Sequence, residues 1–151
     1  MKIIVLGLGN PLFGDDGLGC RVAQRLRNKI NQADITVQEF AGAGLDVLDL
    51  VSGYDKVIII DAIHSGGGDV GTVYHLGIDQ ISTPGTVPLH QMDFIGAFKL
   101  GHQAGLTIPK DISIYAVEAG VTGRLMDECS PAVSKAIPIC IDLIIQELKT
   151  N

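Results

Sequence analysis

Two adjacent carboxylates, Asp15 and Asp16, lie inside a glycine-rich run that extends from Gly7 to Gly19. The apolar stretch Ile3-Ile4-Val5-Leu6 before it reads as a buried strand, and the amphipathic stretch after it reads as a helix. In open α/β sheets, ligands bind at the carboxyl ends of strands. Paired negative charge at such a place repels phosphate and attracts a cation. Asp61 follows a second apolar run, Val57-Ile58-Ile59-Ile60, and is expected to end its strand at the same crevice. Of the four histidines, His64 and His90 fall on loops that could reach that crevice, whereas His75 reads as part of a strand and His102 as following a helix. Two carboxylates and one imidazole, with water completing the shell, suit a divalent first-row ion with open positions.

Other readings of these residues have specific weaknesses. Gly7-Leu8-Gly9 could begin a dinucleotide fingerprint, and Glu39 near the end of the second strand stands where a ribose-binding acid would be. However, Leu12 occupies the position of the last glycine, Pro11 removes an N–H from the loop, and two aspartates oppose a pyrophosphate. Helix capping accounts for one aspartate but not for both. Gly17 and Gly19 cost roughly 1 kcal/mol each in a first helical turn, which is tolerable where another chain must approach the backbone closely. No HExxH, GxSxG or GxxxxGK[ST] pattern is present. Cys20 falls opposite the apolar stripe of its helix, is expected to be partly exposed, and has no evident histidine partner, so it reads as an ordinary thiol.

The elements that must position these groups alternate. Strands are expected at Lys2–Leu6, Ile35–Phe40, Lys56–Asp61, Gly71–Leu76 (an edge candidate) and Asp111–Val117. Helices are expected at Gly17–Ile30, Leu45–Val51 and His90–Leu100. The last helix opens with Ser130 as N-cap and Pro131 at its first position, and should kink or restart at Pro138. The order β-α-β-α-β-β-α-β-α implies one α/β domain over residues 1–151: a doubly wound, mostly parallel five-stranded twisted sheet with helices on both faces. The segment from Gly77 to Pro88 is expected to be a mobile, substrate-contacting loop that leads into His90.

Composition limits the class of protein. The 151 residues are 46% apolar and 19% charged, which excludes a disordered chain. Mean hydropathy is +0.33, yet no apolar run is long enough to span a bilayer, so buried parallel strands are the expected source. Met1-Lys2 runs straight into a strand motif, which is the pattern expected without a secretory leader. Three scattered cysteines argue for a reducing, cytoplasmic compartment. A net charge of −6 disfavours nucleic acid and anionic membrane as partners.

Three blocks together resemble the hydrogenase maturation endopeptidases. The first is Gly7-Leu8-Gly9-Asn10-Pro11-Leu12-Phe13-Gly14-Asp15-Asp16-Gly17-Leu18-Gly19, similar to that family's N-terminal signature. The second is Asp61-Ala62-Ile63-His64-Ser65-Gly66-Gly67-Gly68-Asp69-Val70-Gly71-Thr72-Val73, and the third is Pro88-Leu89-His90-Gln91. The Ser130-Pro131 helix with its internal proline is also similar. The resemblance implies a protease that trims the C-terminal peptide of a nickel–iron hydrogenase large-subunit precursor once its metal centre is loaded. It places the metal-contacting residues at Asp16, Asp61 and His90, with Asp15 orienting or capping. Asp16 stands where the family often has Glu, so its reach is one methylene shorter. The nickel would be the ion already bound in the substrate, and the free protein would hold it weakly. A non-cleaving nickel-sensing or chaperone module for the large subunit is the alternative from another class, followed by a Rossmann-type nucleotide binder.

Overall fold

The computed structural model describes residues 1–42, 44–77, 93–120 and 122–151. Strand β1 (Ile3–Leu8) leads through a single 3-10 turn (Gly14–Gly17) into helix α1 (Leu18–Arg27). Then come β2 (Ile35–Phe40), α2 (Asp46–Val51), β3 (Lys56–Ile63), β4 (Val73–Gly77), α3 (Asp93–Gln103), β5 (Asp111–Glu118) and α4 (Pro131–Lys149). Among the described residues the strands form one sheet in the order β2-β1-β3-β5-β4. All neighbours are parallel except β4, which pairs antiparallel with β5 at the edge.

Strand alternation builds two cores. Ile4, Leu6, Val57, Ile59, Ile112 and Ile114 pack with α2 and α3 on one face. Ile3, Val5, Ile58, Ile60, Tyr115 and Val117 pack with α1 and α4 on the other. The Val57–Ile60 run therefore serves both faces, and all four residues are buried. On α1, Leu18, Val22 and Leu26 recur every fourth residue and are completely buried, as an amphipathic helix on a sheet requires.

One expectation about the elements needs correction and another is narrowed. Strand β3 does not end at Asp61. Residues Asp61, Ala62 and Ile63 go on pairing with Ala116, Val117 and Glu118 of β5, which carries the strand past the point where β1 leaves it. Helix α4 runs through Pro138 without restarting. Pro138 and Ser134 both lie on the exposed side of α4, so the Ser134 carbonyl that loses its N–H partner is on the side that water reaches.

Candidate functional site

From β1 the chain turns to one side through α1 to reach β2, then crosses the other face through α2 and returns as β3 on the far side of β1. The β1–β3 boundary is therefore the switch point of the sheet, where such folds open a crevice. Pairing between the two strands ends at Gly7 and Ile60, so Asp61 is the first β3 residue beyond it. The loop bearing Asp15 and Asp16 leaves from the β1 side of the same opening.

The glycines of that loop let α1 sit on the strand ends. A Cβ on Gly19 would lie 2.4 Å from the carbonyl oxygens of both Ile60 and Leu8. Gly9 has φ +114, and a Cβ there would lie 1.9 Å from the Asp16 carbonyl oxygen. The close approach expected for Gly17 and Gly19 is thus made by this chain's own backbone, at Pro11 for the first and at Ile60 and Leu8 for the second.

Asp15 and Asp16 have separate partners. Asp15 is completely buried. Its carboxylate accepts the Gly120 N–H at 2.8 Å, the Ser130 N–H at 2.6 Å and the Ser130 hydroxyl at 2.9 Å. It therefore ties the first loop to the end of β5 and to the N-terminus of α4, where the helix dipole favours negative charge. Ser130 is the N-cap residue of α4, but its hydroxyl is committed to Asp15 rather than to the helix N–H groups. Asp15 thereby caps α4 from a distance. Asp16 is only part-buried, and its Oδ2 accepts the Asn10 N–H at 2.9 Å, which closes the turn through Pro11. Asp61 is part-buried and its Oδ1 accepts the Ala62 N–H at 2.9 Å, a bond that fixes the carboxylate against its own strand.

Cys20 reports how these acids are arranged. It is buried rather than partly exposed, because α1 lies so close to the strand ends that its Sγ reaches the Gly9 carbonyl at 3.2 Å. Its thiol is pushed up to about 11, first by burial, then by the negative charges of Glu39, Asp16 and Asp61. Three carboxylates from β2, the first loop and β3 thus act on a single sulfur atom. At neutral pH this thiol is protonated and makes a poor nucleophile.

Glu39, which by sequence stands where a ribose-binding acid would be, also acts on Cys20. Its Oε1 is shielded from solvent and has no hydrogen-bond partner among the described residues. The available signal was its place near the end of the strand beside β1. Farther along the sheet edge, Glu118 at the end of β5 accepts the Ser65 N–H at 2.8 Å, the Ser65 hydroxyl and the Tyr74 hydroxyl at 3.2 Å. Burial pushes Glu118 up, but these donors outweigh it and hold the carboxyl below its usual range. An open cleft of about 460 Å³ lies there, lined by residues that include His64, Ser65, Gly66 and Glu118. His64 is exposed, and its Nε2 pairs with Thr122 Oγ1 at 2.9 Å. His75 instead stacks on Tyr115, with ring centroids 4.3 Å apart, and His102 bonds the Pro109 carbonyl, so both serve the scaffold.

His90 lies outside the described residues, as does the mobile loop expected over Gly77–Pro88 except for Gly77, the last residue of β4. Among the described residues, no group of three or more His, Cys, Asp or Glu side chains is arranged to hold a metal ion. The acids alone make an electronegative crevice, which suits a cation that arrives with ligands of its own.

Residues 20–147 match the family model described as hydrogenase maturation protease. The chain is 32% identical over 82 residues to the hydrogenase 2 maturation protease of Escherichia coli, an alignment covering 54% of this chain and 50% of that protein. Its fold is similar to that of the hydrogenase maturating endopeptidase HybD of Escherichia coli, with a TM-score of 0.82 at 23% identity, covering 99% of this chain and 93% of the other. It is also similar to the [NiFe] hydrogenase maturation protease HycI of Thermococcus kodakarensis, with a TM-score of 0.74 at 26% identity, covering 98% and 92% of the two chains.

Proposed function

Since the chain belongs to the hydrogenase maturation protease family, and is by that a peptidase, we propose that it acts in the cytoplasm as the endopeptidase that removes the C-terminal peptide of a nickel-loaded hydrogenase large-subunit precursor. The observation that carries this reading is that Asp61 is the first β3 residue beyond the pairing with β1, at the same switch-point opening from which the loop bearing Asp16 leaves β1. Like charges brought together at a strand switch point cost free energy in the free protein, and a cation relieves that cost. In this reading the cation is the nickel already bound in the substrate. Asp16 and Asp61 approach it directly, and His90 is the third contact through its family motif, Pro88-Leu89-His90-Gln91. A precursor without nickel brings no positive charge to the crevice and is not held there, so trimming follows metal insertion. Asp15 keeps the loop in place and does not touch the ion.

The test is to incubate the purified protein with precursor before and after nickel loading and to measure the intact mass of the large subunit. Loss of a C-terminal peptide from the loaded form alone is expected. An unshortened loaded subunit would sink the proposal, and stable binding without shortening would identify a non-cleaving chaperone or nickel sensor instead.

A further inference from the structure

Strand β2 forms one edge of the sheet, and among the described residues β1 is its only neighbour. The register sorts its backbone groups. The Ile3 N–H donates to the Asp34 carbonyl at 2.9 Å, and the Gly9 N–H donates to the Phe40 carbonyl at 3.2 Å. Backbone groups in a ladder face alternate sides along a strand, so those of Thr36, Gln38 and Phe40 face β1. The N–H and C=O groups of Val37 and Glu39, with the Ile35 carbonyl, therefore point away from the sheet. Among the described residues none of these groups has a hydrogen-bond partner. Edge strands are usually guarded by lysine, proline, a bulge or short length. β2 reads Ile-Thr-Val-Gln-Glu-Phe, without lysine, proline or glycine, and pairs with β1 over all six residues without a bulge. The Tyr54 hydroxyl holds it in place by donating to Thr36 Oγ1 at 3.0 Å.

Chemistry and place select the occupant. Donors and acceptors that repeat at every second residue are matched by another extended backbone. The edge also leads to the crevice. Glu39 lies in register with Gly7, where pairing between β1 and β3 ends, and it acts on the same Cys20 thiol as Asp16 and Asp61. A strand added to β2 would lie two strand spacings from β1, about 10 Å, which about three extended residues cover. Toward the other edge the way is crossed by this chain's own connection from β3 to β4. That connection passes the end of β5, where the Gly71 N–H donates to the Glu118 carbonyl and the Ser65 N–H to the Glu118 carboxylate, each at 2.8 Å. A second copy of this chain would set one net charge of −6 against another.

We infer that the edge of β2 binds the substrate segment downstream of the scissile bond as an added antiparallel strand. From the crevice this segment crosses the end of β1 and runs along β2 from Glu39 toward Ile35. Its side chains alternate between the two faces of the sheet. Those turned toward α1 cover what α1 leaves bare of Ile35 and Val37, so apolar residues at every second position are favoured. The inference rests on the proposed function. In that reading the body upstream of the cut holds the nickel, and the segment downstream is the part released, so it is the part free to extend.

The test uses the full chain, nickel-loaded precursor and a synthetic peptide that copies the precursor's C-terminal segment. Residue-resolved hydrogen exchange on the wild type should show the Val37 and Glu39 N–H groups slowed more than about tenfold by saturating peptide, with Thr36 and Gln38 little changed. N-methylating every second amide of the peptide should abolish binding in one phase and spare it in the other, because only one set of amides faces β2. Val37→Pro removes an outward N–H and keeps the ladder to β1, so KM for precursor should rise about threefold to tenfold with kcat unchanged. Circular dichroism checks its fold, and should this variant not fold, the exchange and methylation patterns on the wild type decide. If the wild type cleaves precursor while peptide slows neither N–H, or folded Val37→Pro keeps the wild-type KM, the edge is wrong and the protease reading stands. If the alternating pattern appears and loaded precursor is not shortened, the edge stands and the protease reading falls. Protection of Val37 and Glu39 that grows with protein concentration in the absence of peptide would assign the edge to a second copy and overturn the inference. A wild type that neither binds peptide nor cleaves precursor overturns both.

Discussion

Asp15 and Asp16 are adjacent in the chain, yet substitution should separate them. Asp15→Ala removes a fully buried carboxylate and with it the acceptor of the Gly120 and Ser130 N–H groups, with a loss of about 1–3 kcal/mol expected in urea unfolding and a loosened first loop. Asp16→Asn keeps the size of the side chain and an oxygen for the Asn10 N–H, so stability should change by no more than about 0.5 kcal/mol while processing of loaded precursor is lost. Equal stability losses in the two variants would show that Asp16 is also a structural tie. Cys20 supplies a separate test. Burial and the three acids keep its thiol protonated at pH 7, so Cys20→Ser should process precursor at close to the wild-type rate in the same mass assay. Abolished processing in that variant would point to thiol chemistry. The free protein should also bind nickel weakly, since it offers converging acids but no closed ligand set among its described residues. A purified protein carrying a full equivalent of tightly held metal would contradict this.

Glycines in two helices carry opposite consequences for their elements. Gly19→Ala drives a methyl group into the Ile60 and Leu8 carbonyls, so α1 must lift from the strand ends at a cost of about 1–3 kcal/mol. Gly96 lies on the exposed side of α3 with nothing within 4 Å of where a Cβ would stand, so Gly96→Ala should stabilise by about 0.5–1 kcal/mol. Thermal midpoints of the two variants moving in opposite directions would verify the pair. The same contrast shows what the sequence disclosed. Val57–Ile60 and the Leu18, Val22, Leu26 stripe encode burial directly, because apolar spacing follows element geometry. The chain order of strands and helices therefore sufficed for the fold class. Strand ends were less legible, since the extension of β3 to Ile63 depends on its register with β5, a contact with no local signature. The partners of Asp15 were illegible for the same reason, as they lie on the far side of the sequence, at Gly120 and Ser130. Cys20 misled because a pattern of every fourth residue reports the face a helix turns to the sheet, not how closely glycines let its first turn settle.

Across the whole molecule, α4 is pinned at both ends, and the two pins answer to different conditions. Its N-terminus is held to the candidate site by Asp15, and its C-terminal part is held by Glu147 to β3 and β5 toward the amino-terminal end of the sheet. Glu147 pairs with Lys56 at 2.9 Å and accepts the Tyr115 hydroxyl at 2.5 Å and the Ser113 hydroxyl at 3.0 Å. Burial pushes the Glu147 carboxyl up, but the Lys56 ammonium and the two hydroxyls overcome it, so its folded pKa lies below the ordinary 4.5. Burial alone would lower Lys56, yet Glu147 and then Asp111 raise it above 10.5. For Glu147 the stabilisation is present above the unfolded pKa and is lost as pH falls through the lower folded value. For Lys56 it is present below the unfolded pKa and is lost as pH rises through the higher folded value. The network therefore supports the fold on a plateau from roughly pH 5 to roughly pH 10. Glu147→Gln leaves a buried ammonium with one exposed carboxylate as its remaining charged partner, so about 3 kcal/mol should be lost at pH 7. The deficit should shrink as the pH falls through the lowered folded pKa of Glu147, where protonation removes the same charge from the wild type. Because this pin lies at the opposite end of the strands from Asp16 and Asp61, kcat on loaded precursor at low temperature should stay within about twofold of wild type. Denaturation at pH 7 and below that pKa, together with cleavage rates, would check both parts. A deficit that does not depend on pH would assign the effect to packing rather than to charge, and a collapse of kcat without loss of stability would mean that α4 couples the two ends of the sheet.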